Sequence, residues 1–113
     1  MKQICPYKVR EFIDSRGVSV FRMWLESLDL RSTARIQARL LRVESGNLGD
    51  YRSVGGGVME LRFDFGPGYR VYFGLDGEAL VILLVGGDKG SQRRDIRKAQ
   101  QLWSKYLVGG SNG

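Results

Sequence analysis

Between Val58 and Phe65 the chain alternates strictly, with Met59, Leu61, Phe63 and Phe65 set against Val58, Glu60, Arg62 and Asp64. A period of two predicts a strand with one buried face. Gly66-Pro67-Gly68 predicts a turn, and Tyr69 to Leu75 returns as a second strand with Tyr69, Val71 and Phe73 on one side and Arg70 and Tyr72 on the other. A three-residue turn sets Phe65 opposite Tyr69, Asp64 opposite Arg70 and Arg62 opposite Tyr72, which keeps apolar beside apolar and polar beside polar. Asp76-Gly77 makes the next turn, and the unbroken apolar run Ala79 to Val85 suits a central strand covered on both sides.

Upstream, Pro6 to Ile13 alternates as a short strand, with Tyr7, Val9 and Glu11 against Lys8, Arg10 and Phe12. Val18, Phe21, Leu25 and Leu28 then recur at helical spacing beside Trp24 and predict a helix from about Gly17 to Leu28. Asp29 caps a second helix over Leu30 to Glu44, in which Ile36, Leu40 and Val43 form an apolar stripe, so the two helices make a hairpin. The glycine-rich stretch Gly46 to Gly57 has the composition of a loop, without the spacing of a nucleotide-phosphate loop. At the other end Ser91 caps a last helix with Ile96, Ala99, Trp103 and Leu107 facing inward. The order β-α-α-β-β-β-α implies an α+β domain with an antiparallel sheet. With no internal repeat or linker, residues 1–108 form a single domain and 109–113 a disordered tail.

Composition limits the chemistry. A chain of 113 residues holds one core. The longest apolar run falls far short of the roughly 20 residues that cross a bilayer, and Met1 to Cys5 has no signal-peptide core, so a cytoplasmic protein with no membrane partner is expected. Cys5 stands alone and is read as a small buried residue; with no histidine, zinc sites of Cys/His type are excluded. A net charge of +6 and a pI near 9.8 favour polyanionic partners. Arg31, Arg35, Arg39 and Arg42 share one face of the second helix with no acid among them. Lys89 to Lys105 holds six basic residues, Arg93 and Arg94 among them, against the single acid Asp95.

The hairpin's polar face gathers Glu60, Arg62, Asp64, Arg70 and Tyr72, and the third strand ends in Gly86-Gly87-Asp88-Lys89. Either this is a wet sheet surface with Asp64 and Arg70 as a weak cross-strand ion pair, or carboxylates, guanidiniums, a phenol and an amine converge there for chemistry.

Three segments, Gly57-Val58-Met59-Glu60-Leu61-Arg62, Gly66-Pro67-Gly68-Tyr69-Arg70-Val71-Tyr72 and Leu83-Leu84-Val85-Gly86-Gly87-Asp88-Lys89, followed by Gln92 and Asp95-Ile96, resemble the addiction-module killer proteins of the RelE/HigB-like toxin superfamily. The resemblance extends upstream through Trp24-Leu25, the arginine-bearing helix and Gly46-Asn47-Leu48-Gly49-Asp50, and so covers nearly the whole chain. It implies a RelE-like fold and a ribosome-dependent mRNA endoribonuclease that arrests translation and growth, the toxin of a type II toxin–antitoxin system. Its implied partners are mRNA, the ribosome and a cognate antitoxin, often a helix-turn-helix protein of the HigA-like kind. Cleavage in such toxins uses no cofactor and no metal: the ribose 2′-hydroxyl attacks the adjacent phosphate, leaving a 2′,3′-cyclic phosphate and a 5′-hydroxyl. That reaction requires a base, an acid and cations for the phosphorane.

Carried over by position, the resemblance makes Arg70 the phosphate-binding arginine, with Lys89 and Arg62 beside it to stabilise the transition state. Glu60 stands where some relatives have a catalytic lysine and is the candidate base; Asp95 stands where some have a tyrosine and is expected to cap or orient the last helix. Tyr72, Gln92, Arg93, Arg94 and the four arginines of the second helix are the expected RNA contacts. Two alternatives remain: a ParE-like toxin that binds DNA gyrase on the same fold, and a non-catalytic nucleic-acid-binding module whose cationic surface holds any phosphate backbone.

Overall fold

A computed structural model describes residues 6–109. The elements run β1 (Lys8–Glu11), α1 (Val20–Glu26), α2 (Leu30–Glu44), β2 (Tyr51–Gly55), β3 (Val58–Arg62), β4 (Arg70–Asp76), β5 (Leu80–Gly87), a 3-10 turn (Lys89–Ser91) and α3 (Gln92–Gly109). One five-stranded sheet in the order β1-β5-β4-β3-β2 carries them. It is antiparallel from β2 to β5, and β1 adds to β5 in parallel. The α+β class and the RelE-like arrangement expected from sequence are observed, with one strand more than expected.

That strand, β2, lies inside the segment expected to be loop. It is a bulged edge strand, largely exposed, in which no apolar alternation announces a buried face. The glycines that suggested a loop make its turn instead: Gly55, Gly56 and Gly57 all have positive φ, a region that side chains disfavour, and they close the β2–β3 hairpin.

The sheet is covered on both faces. Phe21, Leu25, Ile36 and Val43 from α1 and α2 pack with Leu61, Phe63, Val71, Phe73, Val81 and Leu83 on one side. Ala99, Leu102 and Trp103 of α3 pack with Val58, Tyr72, Ile82, Leu84 and Val85 on the other. The hairpin face expected to be wet is therefore roofed by α3, and Val58, Glu60 and Tyr72 are all 0% exposed. Gly74 provides the seat for the roof, since a Cβ there would run into the Trp103 ring.

The β3–β4 register also differs from expectation. Phe63 donates its N–H to the Tyr69 carbonyl, so the connection spans Asp64–Gly68 rather than three residues. Arg62 consequently faces Arg70, and Glu60 faces Tyr72. The expected Asp64–Arg70 and Arg62–Tyr72 pairs do not form, yet a slip of two residues preserves which side chains share a face. Gly66 and Gly68, both at positive φ, permit the longer loop.

Helix ends follow their caps. Asp29 caps α2 as expected by accepting from the Ser32 N–H. The first helix starts later than expected, at Val20, because Asp14 folds a turn by accepting from the N–H groups of Arg16 and Val18, and Ser19 is the cap. Asp88 caps the 3-10 turn that leads into α3, and Ser91, expected to cap α3, is its reciprocal partner there in a capping box and donates its hydroxyl to Asp95. Inward positions of α3 are Asp95, Ala99, Leu102 and Trp103, whereas Leu107 is 58% exposed. Tyr106 takes the place expected for Leu107, stacked on Trp103 with centroids 5.1 Å apart and donating to Asp76 Oδ2 at 2.5 Å. Gly109 belongs to α3; the rest of the expected tail, 110–113, and Cys5 lie outside the described residues. No helix among the described residues is long and apolar enough to cross a membrane.

Candidate active site

Every expected catalytic residue sits where β3, β4 and β5 meet the start of α3, but they divide into a buried hub and an exposed rim. Glu60 is the hub. Its Oε1 accepts from Arg52 Nε at 3.0 Å, and its Oε2 accepts from Tyr72 Oη at 3.0 Å and Gln92 Nε2 at 2.8 Å. Burial raises the carboxyl's proton affinity, yet the donors Gln92, Arg52 and Tyr72 outweigh it and hold the group below its ordinary value. A general base working near neutral pH needs the opposite shift. Glu60 is thus built to remain an ion that orders its neighbours.

Tyr72, expected to touch RNA, is fully buried and cannot. Burial and the adjacent Glu60 raise its phenol well above the ordinary range, so it acts as a neutral hydrogen-bond donor. Gln92 spends its amide on Glu60 and thereby ties the first turn of α3 to β3.

Arg70 has a side chain 13% exposed, its Nε lies 3.9 Å from Glu60 Oε2, and that Nε is buried with no hydrogen-bond partner among the described residues. The guanidinium also donates a long 3.4 Å hydrogen bond from Nη1 to the Tyr69 carbonyl. Lys89 is exposed on the neighbouring 3-10 turn, whose backbone N–H reaches the Pro67 carbonyl. Gly68 lies between them: a Cβ there would stand 3.4 Å from Lys89 Cβ and 3.8 Å from Arg70 Nη1. Arg62 is also at the rim, but Asp50 accepts from its Nη2 at 2.9 Å and Nε at 3.3 Å. Both partners are substantially exposed, so the pair is weak and competes readily with a phosphate.

Asp95 accepts from the Ser91 hydroxyl, and Ser91 Oγ in turn accepts from the Asp88 N–H. Gly87 makes room for this arrangement, because any Cβ would collide with the Asp95 carboxylate. Asp95 therefore orients the start of α3.

The arginine stripe of α2 is not uniform. Arg39 is structural: it donates to the carbonyls of Arg62, Leu48 and Asp50 at 2.8, 3.1 and 2.9 Å and lies over the Phe63 ring. Arg35 covers the Phe65 ring with its carbon 3.9 Å from the centroid, while Arg31 and Arg42 are exposed. At the start of α3, Arg93, Arg94 and Arg97 line a shallow concavity with Lys89. Sequence reasoning does not single out Arg52 and places Asp50 only in a glycine-rich loop segment, because this stretch carries no strand signal. Once Arg52 is placed opposite Glu60 in the β2–β3 register, its role is plain.

The family described as Phage derived protein Gp49-like (DUF891) matches residues 23–104, from α1 to the last turns of α3. The chain belongs to this Gp49-like family. The match contains the whole of the hub and rim. Gp49-like proteins are associated with phage and toxin–antitoxin modules and are related to the RelE/HigB toxin superfamily, in keeping with the resemblance carried by the three strand segments. An uncharacterized protein from Haemophilus influenzae (strain ATCC 51907 / DSM 11121 / KW20 / Rd) is 51% identical over 91 residues, 80% of this chain and 92% of that protein.

Proposed function

We propose that the protein is the toxin of a type II toxin–antitoxin pair, a metal-independent endoribonuclease that cuts mRNA on the ribosome and is silenced by a cognate antitoxin of the helix-turn-helix, HigA-like kind. The observation that carries this reading is Arg70, a guanidinium held at the rim with a buried, unpartnered Nε and with Lys89 beside it. Cations fixed in advance where charge develops lower a barrier without reorganising during the reaction. When the 2′-hydroxyl attacks, its proton passes to water, the bond from phosphorus to the 5′-oxygen breaks and that oxygen takes up a proton from water; the negative charge that grows on the phosphorane oxygens meanwhile is met by Arg70 and Lys89, and Arg62 exchanges Asp50 for phosphate. Glu60 does not accept the proton; it keeps Gln92, Tyr72 and the arginines in register. Arg31, Arg35, Arg42, Arg93, Arg94 and Arg97 suit phosphates flanking the cut.

Induced expression in bacteria with mapping of mRNA 5′ ends tests the reading. Codon-phased cuts that vanish in Arg70→Ala, with the variant's melting unchanged, are expected. Growth arrest with intact mRNA and altered DNA supercoiling would overturn it in favour of gyrase binding, and absence of any arrest would overturn toxicity itself.

A further inference from the structure

Glu60 stands between two guanidiniums and hydrogen-bonds only one of them, holding the other by charge alone. Arg52 donates its Nε to Oε1 at 3.0 Å, whereas Arg70 keeps its Nε 3.9 Å from Oε2, beyond hydrogen-bonding range. Oε2 is already occupied by Tyr72 and Gln92. Arg70 Nε is left buried and unpaired beside a carboxylate, an arrangement that costs free energy and persists only while the acceptor is otherwise engaged. Arg52 itself lies on the edge strand β2 with its side chain 51% exposed, so it is held in solvent on one side and against Glu60 on the other.

We propose that Arg52 is a positioning residue that keeps Arg70 available to an anionic ligand by occupying Glu60. This rests on Arg70 being the phosphate-binding cation of the proposed function. The charge count makes the case: Glu60 brings one negative charge to a pocket with two guanidiniums, and Arg52 draws it toward the β2 edge. Without Arg52 the nearest cation to Oε1 and Oε2 is Arg70. A small displacement then closes a two-pronged carboxylate–guanidinium pair, the favoured geometry for these groups. Arg70 would gain a hydrogen-bond partner for its Nε, its charge would be more fully neutralised by Glu60, and the free edge of its guanidinium would be lost. Arg52 touches no substrate in this scheme; it acts through Glu60 alone.

The side-chain Nε–Hε resonances of nitrogen-15-labelled protein test this directly in wild type, Arg52→Ala and Arg52→Lys, assigned with Arg70→Lys. In Arg52→Ala the Arg70 Hε signal moves downfield and its exchange with water slows about tenfold, the factor equivalent to about 1.4 kcal/mol. Titration with inorganic phosphate, followed on the same resonance, requires about tenfold more phosphate in Arg52→Ala and stays within about twofold of wild type in Arg52→Lys. An Arg70 signal and phosphate midpoint unchanged in Arg52→Ala would overturn the proposal, and so would Arg52→Lys behaving like Arg52→Ala. Because the readout needs no cleavage, a protein that shows these shifts but cuts no mRNA would uphold the role of Arg52 while refuting the nuclease.

Discussion

Glu60→Gln keeps the shape of the buried hub and removes its charge. The wild-type carboxylate accepts three hydrogen bonds of 2.8 to 3.0 Å, from Arg52, Tyr72 and Gln92. A glutamine offers one oxygen in place of two, and its NH2 group confronts donors whichever way it is turned. Arg52 is half-exposed and turns to water at little cost. The loss falls on Tyr72, Gln92 and the nearly buried Arg70, which keeps its charge with no counter-ion. Hydrogen bonds to ions contribute about 1.5–3 kcal/mol each, and relief of the carboxylate's own desolvation offsets part of the loss, leaving about 2–3 kcal/mol. For a domain of this size that lowers Tm by roughly 10–20 °C, measured by circular dichroism at neutral pH. The pH dependence has a definite sign. A carboxyl held below its ordinary value of 4.5 contributes stability that is present above that pH and lost as pH falls through the folded value. The gap between wild type and Glu60→Gln should therefore close in acid. A gap under about 2 °C at neutral pH, or one that widens on acidification, would refute the assignment of Glu60 as an ionised hub.

Five further substitutions examine other parts of the framework and its cationic surface. Gly74→Ala drives a methyl group into the Trp103 ring and should cost about 1–3 kcal/mol or more, seen as a lowered Tm; an unchanged Tm would mean that α3 is not seated there. Arg39→Ala removes donors to three carbonyls and should lower Tm by several degrees, about 2 kcal/mol, while Arg31→Ala and Arg42→Ala leave Tm unchanged and each reduce the salt slope of RNA binding by about one. Tyr106→Phe breaks the bond to Asp76 and should lower Tm at neutral pH by about 4–8 °C. Burial and Asp76 push the Tyr106 phenol up to about 12, so its contribution is present below the ordinary value of 10.0 and lost as pH rises through about 12; an absorbance titration of the mutant should lack that late step.

Legibility in the sequence followed the strength of the periodic signal. α2 was readable to the residue because Asp29 opens it and its stripe is long, and β5 because seven apolar residues in a row, Ala79 to Val85, fit only a strand buried on two faces. The facing of β3 and β4 was also readable, since parity survives the two-residue register slip. What pattern could not reveal was the roof. Val58, Glu60 and Tyr72 look like a solvent face until α3 is laid across them, and α3 is distant in sequence. The same blindness explains Glu60: a charged residue on a presumed wet strand reads as a candidate base, whereas a charged residue under a helix must be satisfied on all sides. Arg52 was hidden by glycines that form a turn, not a loop. For Arg62, Arg70 and Lys89 the sequence shows a shared surface, since parity puts both arginines on one face and Lys89 follows β5; that Arg62 stands opposite Arg70 depends on a register that the turn residues do not reveal.

The parallel pairing of β1 with β5 has a consequence for biosynthesis. Lys8 meets Leu80 and Glu11 meets Leu83, so the first of the described strands waits for the last of them before it has a neighbour. Such distant closure is slow and comes late. Gln92, which secures Glu60, emerges later still. A nascent or truncated chain ending before α3 carries arginines but no ordered hub to aim them. Assembly of the site therefore depends on the part of the chain made after the sheet: until α3 is present, no buried carboxylate orders the arginines.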